Sequence, residues 1–371
     1  MKKIRVNITE LLFVIGYVLI ISELLLANVT FLNEFNKIIG NIGIIILLFK
    51  ILIDRIKYTK KELLLLFIVL GIVTLSAYFS KDTLMLKLCV SIISAHRINI
   101  KRVIKIDFIV RIISVIFVII CYKLQLTNPI LIAKSDGTIR NSFGFSHPNM
   151  LGMMLFILCS EMVYLNIPKN KVVKIIIIIL NILINHFFIV SYTSEIAIMF
   201  LLVFFIFWNK EKIVKNKFRL ISLLPIFIFA ISLYLTYLYN INDLLGIKLN
   251  RILSNRLYYY NLFMNKYPIT LFGTKIDIIY SSNNNIKFMV LDNSYLFILL
   301  RYGIIVFTIF MYSLVKVVNL IMNKFNNKIL VMIMFIYIVI SFSETYLFKI
   351  HFNPFILYFS SLLFNKTKEE M

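Results

Sequence analysis

Apolar runs alternate with short polar stretches along almost the whole chain, and most approach the roughly 20 residues that one helix needs to cross a bilayer. The runs occupy residues 11–31, 38–53, 63–79, 83–95, 106–122, 148–165, 172–190, 194–208, 220–239, 294–315, 329–347 and 352–364. This pattern predicts an all-α integral membrane protein, a single polytopic bundle of about 12 transmembrane helices over residues 1–371 with no second soluble domain. The fourth, eighth and twelfth runs are short for a perpendicular span, and Lys87 lies inside the fourth, so half-insertion or a snorkelling side chain is expected there.

Two connections, residues 123–147 and 240–293, are far longer than the others, and long ordered connections tend to carry function. In the second, Leu245, Leu249, Ile252, Leu253, Leu257 and Tyr260 recur at helical spacing, with Lys248, Arg251, Asn255 and Arg256 at other positions. An amphipathic helix is predicted there, lying on the membrane surface or capping the bundle. Asn283, Asn284 and Asn285 then mark a turn.

Composition agrees with lipid as the solvent: 61% of residues are hydrophobic and 15% charged, with a mean hydropathy of +0.92. The net charge of +23 changes the picture only through its distribution. Lys2, Lys3 and Arg5, then Arg55 to Lys61, Arg97 to Lys105, Lys169 to Lys174, Lys210 to Arg219, Lys324 and Lys328, and Lys366 and Lys368 all fall in alternate connections. The intervening connections hold isolated cations such as Lys37, Lys81 and Lys349, so both termini are expected in the cytoplasm and both long connections outside. That arrangement argues for topology and against a nucleic-acid partner. The start resembles a signal sequence without an obvious small-residue cleavage site, and a retained first helix is expected. Cys89, Cys121 and Cys159 lie in apolar runs and have neither metal-ligand spacing nor an even count, so buried thiols are expected and no metal site.

The densest polar cluster outside the basic connections is Arg140-Asn141-Ser142-Phe143-Gly144-Phe145-Ser146-His147-Pro148-Asn149. Proline suits a first helical turn, which puts Ser146 and His147 at a helix N-terminus, where the dipole favours an anion. Either an anionic ligand docks there, or Ser146 or His147 caps the helix and Gly144 supplies a turn. The segment Arg-x-Ser-x-Gly-Phe-x-His-Pro-Asn-x-x-Gly, residues 140–152, resembles the motif of the Wzy-type polysaccharide polymerases, which belong with the O-antigen ligases. Asn255 to Tyr260, Pro268 to Gly273, Asp292 to Leu296 with Arg301-Tyr302-Gly303, Ser343 to Tyr346, and Phe352-Asn353-Pro354 resemble further segments of that family, in the expected order. After the seventh run many relatives carry a Ser-Arg pair, whereas this chain reads Ser191-Tyr192-Thr193-Ser194-Glu195.

The resemblance implies a helical, GT-C-like glycosyltransferase with neither metal nor cofactor, which joins undecaprenyl-pyrophosphate-linked oligosaccharide units into capsule, exopolysaccharide or O-antigen. It would work at the outer face of a bacterial cytoplasmic membrane, beside a flippase and a chain-length regulator. Arg140 and Arg256 are expected at the pyrophosphate, since guanidinium groups bind phosphate oxygens bidentately. His147 is expected to take a proton or position the acceptor, and Glu344 is an ionisable group that is costly near a span unless paired or wet. Asn149, Arg251, Tyr259, Asp292, Asn293 and Arg301 complete the expected substrate contacts. Simpler roles stand beside these: lipid headgroups for Arg251 and Arg301, helix capping for Asp292, and an interfacial aromatic belt for Tyr258 to Tyr260. A ligase passing glycan to another acceptor is the nearest alternative. A flippase or other transporter is disfavoured by the lack of internal repeats.

Overall fold

Backbone amides find no partner in hydrocarbon, so segments this apolar close their hydrogen bonds internally, as helices. A computed structural model describes residues 8–55, 58–127, 131–133, 139–207, 219–277, 279–281, 287–325 and 327–364. The first half holds α1 (Ile8–Leu26), α2 (Asn36–Asp54), α3 (Lys60–Ser80), α4 (Leu84–Ser94), α5 (Ile100–Lys123), α6 (Pro148–Leu165) and α7 (Lys171–Ile184). The second holds α8 (Tyr192–Phe207), α9 (Arg219–Asn240), α10 (Leu244–Ile252), α11 (Arg256–Lys266), α12 (Ser294–Leu320), α13 (Lys328–Ile340) and α14 (Ser360–Leu363). Among the described residues six helices are long and apolar enough to cross a membrane: Asn36–Asp54, Lys60–Ser80, Pro148–Leu165, Lys171–Ile189, Ile221–Asn240 and Ser294–Lys324. Leu84–Ser94, Tyr192–Phe207, Lys328–Ile340 and Pro354–Leu363 are apolar but shorter. Large apolar side chains cover the outside of the bundle, as Phe67, Ile45 and Phe187 do, which suits lipid contact and not water.

Among the described residues several buried charges of the bundle are paired, as burial demands. Arg111, near the middle of α5, bridges Asp107 at 2.8 Å, and its Nε lies 3.9 Å from Glu161 of α6. Tyr17 donates to the same aspartate at 3.0 Å. Lys87 does not snorkel: it is 4% exposed and ion-paired with Glu23 of α1. The three cysteines are buried and free.

Both long connections are structured beyond what the sequence predicts. The first carries a hairpin of β1 (Leu131–Ala133) and β2 (Ile139–Asn141), the second one of β3 (Ile279–Ser281) and β4 (Lys287–Met289). The single amphipathic helix expected from residue 245 onward is two helices, because Ser254 and Asn255 both adopt left-handed backbone (φ 54° and 64°) and break it. The break leaves Leu245 and Ile252 exposed, while Leu257 and Tyr260 of α11 are fully buried. Asn283 to Asn285 lie outside the described residues, as do Lys2, Lys3, Arg5, Lys57, Lys210, Lys212, Lys215, Lys217, Lys366 and Lys368.

The end of the bundle that receives these connections is stitched by side chains. Residues 341–353 follow α13 as irregular backbone, and buried carbonyls there need donors. Tyr337 donates to Phe352 O at 2.6 Å, Arg111 to His351 O at 2.9 Å and Asn353 to Leu347 O at 2.8 Å. The twelfth apolar run is thus partly this irregular backbone, then a 3₁₀ segment (Pro354–Phe359), then the single turn of α14.

Candidate functional site

The motif beginning at Arg140 forms the entry to α6, and each residue has a mechanical reason to be there. Arg140 sits on β2 opposite Ile132, and Asn141 ties the turn to Tyr122 of α5 at 3.2 Å. Gly144 has φ 91° and packs so tightly that a Cβ would sit 2.8 Å from Tyr122 Cβ, which leaves only glycine. His147 is the N-cap of α6, its Nδ1 accepting the Asn149 amide at 3.0 Å, with Pro148 in the first turn. Gly152 lets α6 approach Ser191 and Ser194, a Cβ there meeting Ser194 Oγ at 2.1 Å.

These contacts aim Arg140 and Asn149 at Glu344. Arg140 donates to Asn149 Oδ1, and Asn149 Nδ2 donates to Glu344 Oε1 at 3.1 Å. From the other long connection, Arg256 at the start of α11 reaches the same Glu344 oxygen at 3.3 Å. Ser191 donates to Asn149 Oδ1 at 3.1 Å, and Thr193 lies beside Glu344 and favours its charged form. Residues 191–193 therefore meet the cluster with hydroxyls. The Nε atoms of both Arg140 and Arg256 are buried with no hydrogen-bond partner among the described residues. Two guanidinium groups thus hold N–H donors in reserve, an arrangement suited to phosphate oxygens.

Electrostatics favour an anion at this place. Burial, and then the Asp292 charge, push the Glu344 carboxyl up to about 8 against the pull of Arg256. A protonated Glu344 leaves Asp292 as the acid whose charge faces Arg256 near neutral pH, so the two arginines are only partly compensated. Burial, with Arg140 adding repulsion, holds His147 down to about 4, so its ring is neutral.

Other expected residues fall into different roles. Asn293, not Asp292, caps α12, accepting from the amides of Tyr295 and Leu296 at 3.0 Å. Tyr260 donates to the carbonyls of Asp292 (3.0 Å) and Phe342, fixing the Asp292 backbone beside the 341–353 segment. Arg301 lies apart from the arginine cluster, ion-paired to Asp82 at 2.7 Å and donating to Ile276 O at 2.7 Å. Tyr259 is half-buried on α11. Arg251 is exposed on α10 and makes no ion pair among the described residues, so it stands outside the cluster. Lys349 looks in sequence like an isolated interfacial lysine; in the fold it is fixed to Thr345 Oγ1 at 2.7 Å.

No model of a protein family matches this chain, and no curated protein or solved structure matches it significantly.

Proposed function

We propose that the chain is a glycosyltransferase that polymerises polyprenyl-pyrophosphate-linked oligosaccharide units into a bacterial surface polysaccharide at the outer face of the cytoplasmic membrane. The observation that carries this reading is the convergence of Arg140, through Asn149, and of Arg256 on Glu344, each arginine keeping a buried Nε–H with no hydrogen-bond partner among the described residues. Breaking a sugar-to-pyrophosphate bond develops positive charge at the anomeric carbon and negative charge on the departing phosphate. Fixed guanidinium donors stabilise that leaving group without reorganising. The pyrophosphate displaces Asn149 and Glu344 as the arginines' partners, and a neutral Glu344 makes the exchange cheap.

The rest of the reading follows the resemblance in the motif and the charge pattern. The helices cross the membrane about 12 times with both termini in the cytoplasm. A flippase supplies the lipid-linked units and a chain-length regulator ends growth. His147 positions Asn149 through the cap rather than taking a proton, because the ring nitrogen that accepts is already used.

Deleting the gene in its own host and resolving the surface polysaccharide by size tests this function. Single-unit products in the deletion strain, a full ladder with wild type, and no ladder with Arg140→Ala or Arg256→Ala is the expected result. Long chains that fail to reach their final acceptor would identify a ligase instead, and units held at the cytoplasmic side a transporter.

A further inference from the structure

Beside the arginine cluster a cavity of about 210 Å³ opens, walled by Phe263, Asp292, Phe297, Arg301, Thr345 and Lys349 among others. Most of its polar groups already have partners. Arg301 is held by Asp82, Lys349 by Thr345, and Asp277 by Lys275 at 3.0 Å. The Asp292 carboxylate, half-buried on the same wall, forms neither hydrogen bond nor ion pair with any described residue. Its backbone is nonetheless rigidly placed. Besides the Tyr260 bond to Asp292 O, Asn293 Nδ2 donates to Phe342 O at 3.0 Å and Ser294 N to Ser341 O at 2.9 Å. An unpartnered carboxylate on a fixed backbone, with aromatic faces of Phe263 and Phe297 around it, suits a hydroxylated ring that stacks by its C–H face and offers an O–H to the acid.

We propose that this cavity receives the terminal sugar of the acceptor chain and that Asp292 takes the proton of the attacking hydroxyl; the inference rests on the polymerase reading above. As the hydroxyl oxygen bonds to the donor's anomeric carbon, the bond from that carbon to the pyrophosphate oxygen breaks. Its electron pair leaves on the pyrophosphate, against Arg140 and Arg256, while the hydroxyl proton passes to the Asp292 carboxylate. The other candidates for that proton are unavailable, His147 because its accepting nitrogen serves the cap and Glu344 because it already carries a proton near neutral pH. Burial raises Asp292 above the usual carboxylate range despite Arg256 and Lys349, which strengthens it as a base. The charged and titratable groups around it are Arg256, Tyr259 and Tyr260 from α11, Arg301 from α12, and Glu344, Tyr346 and Lys349 from the 341–353 segment.

The test uses membranes carrying full-length wild type, Asp292→Asn or Asp292→Glu, supplied with lipid-linked repeat units extracted from the deletion strain. Initial rates of chain growth are measured against pH and unit concentration. Asp292→Asn is expected to lower kcat by about 100-fold or more with little change in KM and to abolish the acidic limb of the pH profile. Asp292→Glu is expected to restore part of the rate with a displaced limb. A wild-type rate and limb in Asp292→Asn, or an unmoved limb in Asp292→Glu, overturns the assignment. Should Asp292→Asn fail to accumulate, the limb of Asp292→Glu decides alone. Equal chain growth by membranes with and without the wild-type chain would instead refute the polymerase reading itself.

Discussion

A carboxyl group removed from water resists ionisation, and at Glu344 the attraction of Arg256 offsets that cost only in part. With Asp292 adding repulsion, the group moves from an ordinary 4.5 to about 8. The folded protein therefore keeps a proton that the unfolded chain loses. The stabilisation is fully present below about 4.5 and disappears as pH rises through about 8. Glu344→Gln keeps the shape and removes this titration. Between about pH 5 and 9 the melting temperature in detergent should fall less steeply for Glu344→Gln than for wild type. Parallel curves would mean that Glu344 ionises at its ordinary value and that the arginines are compensated at neutral pH.

Elements meet the site through a pair of glycines that interlock. Gly303 has φ 85° and ψ 168° in the middle of α12, a conformation essentially reserved for glycine, and it interrupts the helix. The amides of Ile304 and Ile305, released by the break, donate to Thr270 O and Leu271 O at 3.0 and 3.3 Å, while Leu300 O accepts from Thr274 N at 3.2 Å. Gly273, with φ 90°, lies so close that a Cβ on it would stand 2.0 Å from Arg301 O. Gly303→Ala should cost about 1–3 kcal/mol in backbone strain alone. It should also displace Arg301 from Asp82, seen as a lower melting temperature together with shortened polysaccharide chains; unchanged values for both would remove the interlock from the account. An isolated Gly303 in an apolar run and the Phe272-Gly273 pair were visible in the sequence, but their contact was not. Much of the element scale was legible, since lipid forces long apolar runs into helices. The break at Ser254 and Asn255 was hidden because neither glycine nor proline marks it; a left-handed asparagine was the available signal. At the site, Arg140, Asn149, Arg256 and Glu344 were singled out and lie together. Ser191 and Thr193 stood out only as the place of a missing cation, and Lys349 only as an isolated one, because hydroxyls near a helix start and a lone lysine show their part in a site only once the fold supplies their neighbours.

For the molecule as a whole the organising fact is the separation of two kinds of positive charge. Basic side chains such as Lys60, Lys61, Lys101, Lys171 and Lys328 gather where α3, α5, α7 and α13 begin. The far ends of α5 and α13 approach the arginine site through Tyr122 and Ser341. The basic clusters therefore face away from Arg140 and Arg256, and the positive-inside bias predicts that the site lies outside. Because Cys89, Cys121 and Cys159 are buried, introduced cysteines report this without background. A membrane-impermeant maleimide added to intact cells should label Tyr258→Cys, beside the site, and spare Lys169→Cys until the cells are lysed; the reverse pattern would invert the topology. Turnover itself is measured on the purified chain in proteoliposomes loaded with lipid-linked repeat units. Free polyprenyl pyrophosphate should be released in step with each bond added to a lengthening glycan, and Arg256→Ala should abolish both. Release without chain growth, or neither product from the wild-type protein, would contradict the polymerase reading.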